Sequence, residues 1–169
     1  ATGNTLIGQA AGSDGSGNYC VFVGMGAGGT ADNTQDGTIG IGKDALTALT
    51  SGAGNVAIGY GALKENVDGA RNIAIGYGAM ETQQAGGTQT TSDGSSDNIF
   101  IGYDAGGGAW QNNASNSNTA VGSYAMNYNL NSASNNTAMG YNALGGLNNG
   151  TNNVALGYNA MGYENLAGE

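Results

Sequence analysis

The stretch Asn55-Val56-Ala57-Ile58-Gly59-Tyr60-Gly61-Ala62-Leu63 decides the fold of this chain, because near copies of it recur along the whole sequence. Each copy is a β-prone triplet followed by Gly, two variable residues and Ala. The Gly and the Ala occur in all nine copies, and successive motif glycines are 16, 18, 17, 17, 26, 20, 18 and 17 residues apart. Such a period predicts a solenoid in which each copy stacks only on its neighbours.

The composition favours an ordered repeat protein over a collagen or a disordered chain. The 169 residues include 34 Gly and no Pro, and only 9% are charged. Collagen would need Gly at every third position together with Pro. The regularly spaced Val, Ile and Leu supply a surface to bury, so disorder is expected only in the insertions. We predict one repeat domain, residues 1–169, with insertions near 82–97 and 107–117.

Charge and residue types exclude several classes of function. Twelve acidic residues against three basic ones give a net charge of −9, which argues against nucleic acid and anionic membrane surfaces as partners. No apolar run approaches the ~20 residues that a membrane-spanning helix needs. Histidine is absent, Cys20 is the single cysteine, and no pair of carboxylates stands out for acid/base chemistry. We therefore expect neither an enzyme nor a cofactor or metal site.

Each period is predicted to form one rung of a narrow all-β, parallel solenoid. In the triplets the first and third residues are mostly Val, Ile, Leu or Thr, and the middle one is Ala in five copies. Alternate strand residues face opposite sides. We expect the bulky pair to fill the inside of the rung and the Ala row to face outward, towards another chain. A second short strand, such as the one beginning at Ala62-Leu63, is expected after the Gly turn.

The recurring polar and small residues of the motif are interpreted as structural. Seven copies open with Asn, and stacked Asn side chains can bond along the rungs as a ladder. The clearest repeat positions are Asn55, Gly59, Ala62, Asn72, Gly76, Ala79, Asn136, Gly140, Ala143, Asn153, Gly157 and Ala160.

The motif Asn-[Thr/Val/Ile]-Ala-[Ile/Val/Leu/Met]-Gly-x-x-Ala-[Leu/Met], clearest at 55–63, 72–80, 118–126, 136–144 and 153–161, resembles the head repeats of YadA-type trimeric autotransporter adhesins. It is still more similar to related repeats in bacteriophage tail fibres. The resemblance implies a left-handed parallel β-roll of about nine coils of 16–20 residues, three chains around one axis, and an extracellular attachment role. The sequence departs from the pattern where Leu6, Phe22, Gly40 and Phe100 replace the middle Ala.

Two features are candidates for contact with a receptor or glycan. Tyr follows the motif Gly in five copies, so stacking would align Tyr60, Tyr77, Tyr103, Tyr141 and Tyr158 in a stripe. Such a stripe is either an aromatic ladder that packs along the roll or a platform for sugar rings. The insertions carry Gln89, Asp93 and the single Trp, Trp110; they are either a binding face or tolerated surface loops.

A rung of about seventeen residues encloses little volume, and small cores usually need association when disulfides and metals are absent. We therefore expect association with other chains. The resemblance implies that the assembly is a homotrimer, that it forms part of an extracellular fibre, and that it binds a cell-surface receptor or glycan. A phage tail fibre in the virion is favoured over an adhesin head on a bacterial surface. Two alternatives stay open: a filament built by end-to-end stacking of units, and an ice-binding solenoid, which the variable Thr, Val and Ile positions disfavour.

Overall fold

The computed structural model describes residues 2–13, 17–29, 36–81, 94–110, 114–128 and 130–162. Nine three-residue strands lie parallel in one sheet, in chain order. They are β1 Thr5–Ile7, β2 Val21–Val23, β3 Ile39–Ile41, β4 Val56–Ile58, β5 Ile73–Ile75, β6 Ile99–Ile101, β7 Thr119–Val121, β8 Thr137–Met139 and β9 Val154–Leu156. Each strand contacts only the strands before and after it. The chain is a parallel β-solenoid with one rung per motif, as the sequence predicts.

The strands pair in strict register, so equivalent residues of successive rungs form columns. Val56 lies beside Ile73, Ala57 beside Ala74, and Ile58 beside Ile75. The 26-residue interval before β6 leaves this pairing intact, because Ile73 still lies beside Ile99. No helix long and apolar enough to cross a membrane occurs in the described part of the chain.

The facing of the strand residues is opposite to the expectation. In β2–β9 the middle residue is buried, whereas the first and third are half-buried or exposed. Ala57 and Ala74 are both fully buried. In the five rungs with Ala in the middle, the interior accommodates this small residue, and the bulky pair points outward. The Ala row is therefore not the surface that is left for another chain.

In the rungs with a large residue in place of the middle Ala, a second position of the same rung is correspondingly small. Where the middle residue is large, the residue after the motif Ala is Gly: Leu6 goes with Gly12, Phe22 with Gly28 and Phe100 with Gly106. A Cβ added to Gly28 would lie 2.5 Å from the Phe22 ring, and one added to Gly106 would lie 2.5 Å from the Phe100 ring. Rungs with Ala in the middle carry Leu or Met after the motif Ala. Two positions of each rung thus share one interior space.

The second strand expected in each rung does not form. Immediately after the motif Ala the backbone turns, because the next residue has positive φ in every rung, for example 52° at Leu63 and 50° at Leu144. A strand needs extended backbone, which these left-handed residues interrupt. Bonds between rungs nevertheless continue there; the amide of Leu63 donates to the carbonyl of Ala79 at 3.1 Å.

The Asn side chains form a buried ladder along the solenoid. The oxygen of Asn98 accepts from both the backbone amide and the side-chain amide of Asn118, at 2.9 and 3.1 Å. The side-chain amide of Asn118 also donates to the carbonyl of Ala133 at 2.8 Å. In the second and third rungs this position is held by Cys20 and Thr38. Thr38 Oγ1 is buried and has no hydrogen-bond partner among the described residues, so the ladder is interrupted there.

Candidate binding surface

A continuous apolar strip lies on the outer face of the sheet. It consists of the first and third residues of the nine strands, and we call it the outer strip. Apart from Thr5, Thr119 and Thr137, all of its side chains are Val, Ile, Leu or Met. With strands about 4.8 Å apart, nine rungs make a strip about 38 Å long. It contains no charged residue. Its side chains are mostly half-buried in β2–β7 and exposed in β1, β8 and β9, and an accessible apolar surface of this extent is typical of an interaction site.

A second column runs beside the outer strip and consists of stacked tyrosines. The rings of Tyr60 and Tyr77 lie 4.9 Å apart with their planes 9° from parallel, and Tyr77 and Tyr103 follow at 5.5 Å and 15°. Tyr141 and Tyr158 stack at 5.4 Å and 11°. The five tyrosines of the predicted stripe are exposed, from 40% at Tyr60 to 81% at Tyr158.

The stripe is continuous because a sixth ring fills a gap that the motif leaves. The seventh copy has Ser123 in the tyrosine position, but the adjacent Tyr124 packs edge-on against Tyr103 at 5.3 Å and against Tyr141 at 5.6 Å. Tyr124 has φ 60°, and the equivalent residue of every other rung also has left-handed backbone. Burial, and to a lesser degree its bond to Tyr103, raises the pKa of the Tyr124 phenol. We call Tyr60, Tyr77, Tyr103, Tyr124, Tyr141 and Tyr158 the tyrosine ladder.

Stacking limits what the tyrosine ladder can recognise. Tyr77 has a parallel ring on each side, at 4.9 and 5.5 Å, so both of its faces are covered. A sugar ring that stacks on an aromatic side chain needs a free face. The internal rings therefore offer edges and hydroxyl groups to a ligand. At one end of the stacked run, Lys43 places its ammonium group 5.1 Å from the centre of the Tyr60 ring, a cation–π contact. A hydrogen bond to Asp44 is the main cause that raises the pKa of Lys43.

Trp110, the predicted receptor contact in the second insertion, is buried. It is 1% exposed, its indole nitrogen donates to the carbonyl of Gly106 at 2.7 Å, and its ring packs edge-on against Phe100 at 5.5 Å. The Trp110 side chain therefore belongs to the core and is not available to a receptor. The sequence predicts an exposed position for Trp110 because an insertion in a repeat array ordinarily loops out. Gln89 and Asp93, the other candidates from the insertions, lie outside the described residues.

Charged side chains form small bridges between rungs. Arg71 donates to both carboxylate oxygens of Asp97, at 2.6 and 2.8 Å, and this pairing lowers the pKa of Asp97. Glu81 lies 3.5 Å from Lys64, and burial raises the pKa of Glu81 in spite of that lysine. No cluster of three or more His, Cys, Asp or Glu side chains that could hold a metal ion occurs among the described residues.

Comparisons of the chain with protein-family models, with curated proteins and with solved structures return no match. The outer strip and the tyrosine ladder are therefore the features of the molecule that bear on its function.

Proposed function

We propose that this chain is a structural and adhesive segment of a trimeric extracellular fibre, of the phage tail-fibre kind, that takes part in attachment to a host. The observation that carries the proposal is the outer strip, an uncharged apolar sheet face that runs along all nine rungs. A protein that stays monomeric rarely leaves such a face open to water.

The narrow interior of each rung also supports association. The middle strand residue is Ala in five rungs, so one rung buries few large side chains of its own. Small cores seldom suffice without disulfides, metals or association. The only cysteine of the sequence is Cys20, which leaves no intrachain disulfide to stabilise the rungs. Outer strips of three chains that meet on one axis would bury the strips and leave the opposite sides facing water.

The attachment role is supported by the tyrosine ladder, a regular row of exposed ring edges and hydroxyl groups beside the outer strip. Hydroxyl and amide groups of a glycan or protein receptor are suitable partners for phenol hydroxyls, which both donate and accept hydrogen bonds. The acidic character of the chain, net charge −9, fits a receptor that is not a polyanion. The protein acts by binding and not by catalysis in this proposal.

Native mass, measured by light scattering after size exclusion over a wide range of concentration, tests the association. We expect a constant mass three times that of the 16.6 kDa chain. Ile58→Lys places an ammonium group in the middle of the outer strip, so we expect this variant to lose the trimer, because burying an unpaired charge is strongly unfavourable.

Ser51→Lys is the matched control, since Ser51 is exposed and lies outside the strip. It should keep the wild-type mass. A mass that climbs with concentration would instead favour the end-to-end filament. A folded wild-type monomer would overturn the proposal, and so would an Ile58→Lys variant that is folded by circular dichroism and still trimeric.

A further inference from the structure

We propose that the tyrosine ladder is a site of oxidative cross-linking, at which Tyr60 and Tyr77 of one chain are joined through a dityrosine bond. This inference concerns neighbouring rungs of a single chain, so it does not depend on the trimer or on the attachment role.

The chemistry requires a one-electron oxidant, for which hydrogen peroxide acting through a haem peroxidase is the chemical class. Each of the two phenols gives one electron and its hydroxyl proton to the oxidant and becomes a phenoxyl radical. The two radicals couple through the ring carbons beside their hydroxyl groups, and the hydrogens on these carbons shift back to the oxygens. One carbon–carbon bond forms, and one peroxide molecule takes up the two electrons and two protons and leaves as two waters.

The geometry brings the two radicals together without diffusion. Tyr60 and Tyr77 follow the motif glycines of rungs whose strands are paired in register, Ile58 beside Ile75, which fixes their backbones. Their rings stack at 4.9 Å and 9°. Holding two reacting groups side by side replaces a bimolecular encounter by an intramolecular step, which raises the effective concentration greatly.

Both rings are also accessible to an oxidant. Tyr60 is 40% and Tyr77 52% exposed, so a peroxidase product or small radical mediator can reach them. Tyr19 is a useful contrast: it is 70% exposed and lies outside the tyrosine ladder. If exposure alone decided which tyrosine is cross-linked, Tyr19 would react more readily than Tyr60 or Tyr77. If ring proximity decides, Tyr60 and Tyr77 react with each other instead.

A bond between Tyr60 and Tyr77 would close a loop in the chain and tie two adjacent rungs together. A covalent link of this kind restricts the unfolded chain in the way a disulfide does. It would provide an intrachain covalent cross-link, which the single cysteine, Cys20, cannot form. Other stacked pairs of the tyrosine ladder, such as Tyr141 and Tyr158, have the same arrangement.

The positions of the basic residues make the Tyr60 link simple to detect. Lys43, Lys64 and Arg71 are the only trypsin sites, so complete digestion yields 1–43, 44–64, 65–71 and 72–169. Tyr60 is the only tyrosine of 44–64, and Tyr19 the only one of 1–43. A dityrosine that joins 44–64 to 72–169 must therefore use Tyr60. The folded full-length protein is oxidised with peroxidase and peroxide at high dilution, denatured, digested and analysed by mass spectrometry.

We expect a fused 44–64/72–169 species with dityrosine fluorescence, while 1–43 stays free. Tyr77→Phe keeps the stacked ring but has no hydroxyl to oxidise, so the fused species should fall to the level of the unoxidised sample. Tyr19→Phe is the matched control and should leave its yield unchanged. Fragment sequencing of the fused species should place the second tyrosine at Tyr77.

Isotope labelling separates links within a chain from links between chains. Light and ¹⁵N-labelled chains are unfolded, mixed and refolded together before oxidation. The proposal requires fused species that are all light or all heavy. Mixed species, a fused product that persists in Tyr77→Phe, or a 1–43 fragment cross-linked as readily as 44–64 would each overturn it.

Discussion

At the scale of single residues, the solenoid depends on columns of left-handed backbone. Four positions have positive φ in every rung: the residue before the Asn position, the motif Gly, the second variable residue and the residue after the motif Ala. Several of these positions hold residues with a Cβ, such as Arg71 at 56° and Asp104 at 54°. Each of them costs roughly 1–2 kcal/mol relative to ordinary backbone. The ladder of hydrogen bonds between rungs holds them in place.

Among these left-handed positions, only the motif Gly is occupied by glycine in every rung. Gly59 has φ 138°, and a Cβ added to it would overlap the carbonyl oxygen of Gly76 in the next rung. We expect Gly59→Ala to destabilise the fold by about 3 kcal/mol or more, from backbone strain together with the overlap. Urea unfolding followed by circular dichroism measures the loss.

Gly157 is the matched control, because it has a similar φ of 123° but a Cβ there would meet no atom within 4 Å. Gly157→Ala should therefore introduce only backbone strain, and its loss of stability should be clearly smaller than that of Gly59→Ala. Equal losses in the two variants would show that the close approach of the next rung is not what requires glycine.

At the scale of the rung, the interior is a space that two sequence positions share. The sequence already pairs a large middle residue with a small partner, since the copies with Leu6, Phe22 and Phe100 all have Gly after the motif Ala. One of the two positions lies in the strand and the other in the turn, so the strand triplets alone do not show this pairing. Only the contact between the Gly28 backbone and the Phe22 ring makes it evident.

An exchange of sizes within one rung tests the shared space. Phe22→Ala leaves a cavity and should cost about 3–5 kcal/mol. Gly28→Leu alone would overlap the Phe22 ring and is also expected to destabilise. Together the two changes recreate the arrangement of the rung with Ala57 and Leu63. We expect the double variant to be more stable than Phe22→Ala alone, as measured by urea unfolding.

Gly106→Leu combined with Phe22→Ala is the control, because Gly106 lies several rungs away against Phe100. Those two losses should simply add, since distant sites behave independently. Additive losses for Phe22→Ala with Gly28→Leu as well would contradict a shared interior.

At the scale of the whole molecule, the described chain is quasi-one-dimensional and its candidate sites are surfaces. Each strand contacts only its neighbours in sequence, so stability accumulates from rung to rung. The outer strip and the tyrosine ladder exist only because side chains from many rungs align. In the proposed fibre, binding strength would come from this repetition along the axis.

Two bridges between rungs contribute to the dependence of stability on pH, and the pKa values of their carboxyl groups are shifted in opposite directions. The pKa of Glu81 is raised, mainly by burial, so its folded state holds the proton more tightly than the unfolded chain does. Stability from that group is greatest below the ordinary glutamate pKa of 4.5 and is lost as pH rises through the folded pKa. The lowered pKa of Asp97 acts in the opposite sense: its contribution is present above 3.8 and is lost as pH falls.

We therefore expect Glu81→Gln to gain stability relative to the wild type as pH rises from about 4 to 7, since glutamine has no proton to lose. Chemical unfolding at a series of pH values measures the difference. Glu65→Gln is the control, because Glu65 lies 3.9 Å from the same Lys64 but 45% of its side chain is exposed, against 11% for Glu81. An equal pH trend in both variants would show that burial of Glu81 is not its cause.

The sequence by itself determined the solenoid, its nine rungs, their register and the Asn and Tyr columns. The reason is that a motif repeated at near-constant spacing fixes which residues stack. Only the tertiary structure decided which face of each strand is inside, because alternation defines two faces without naming the inner one. It also decided that Trp110 returns to the core and that Tyr124 completes the tyrosine ladder. Both depend on the volume and backbone angles of neighbouring rungs, which no single copy of the motif specifies.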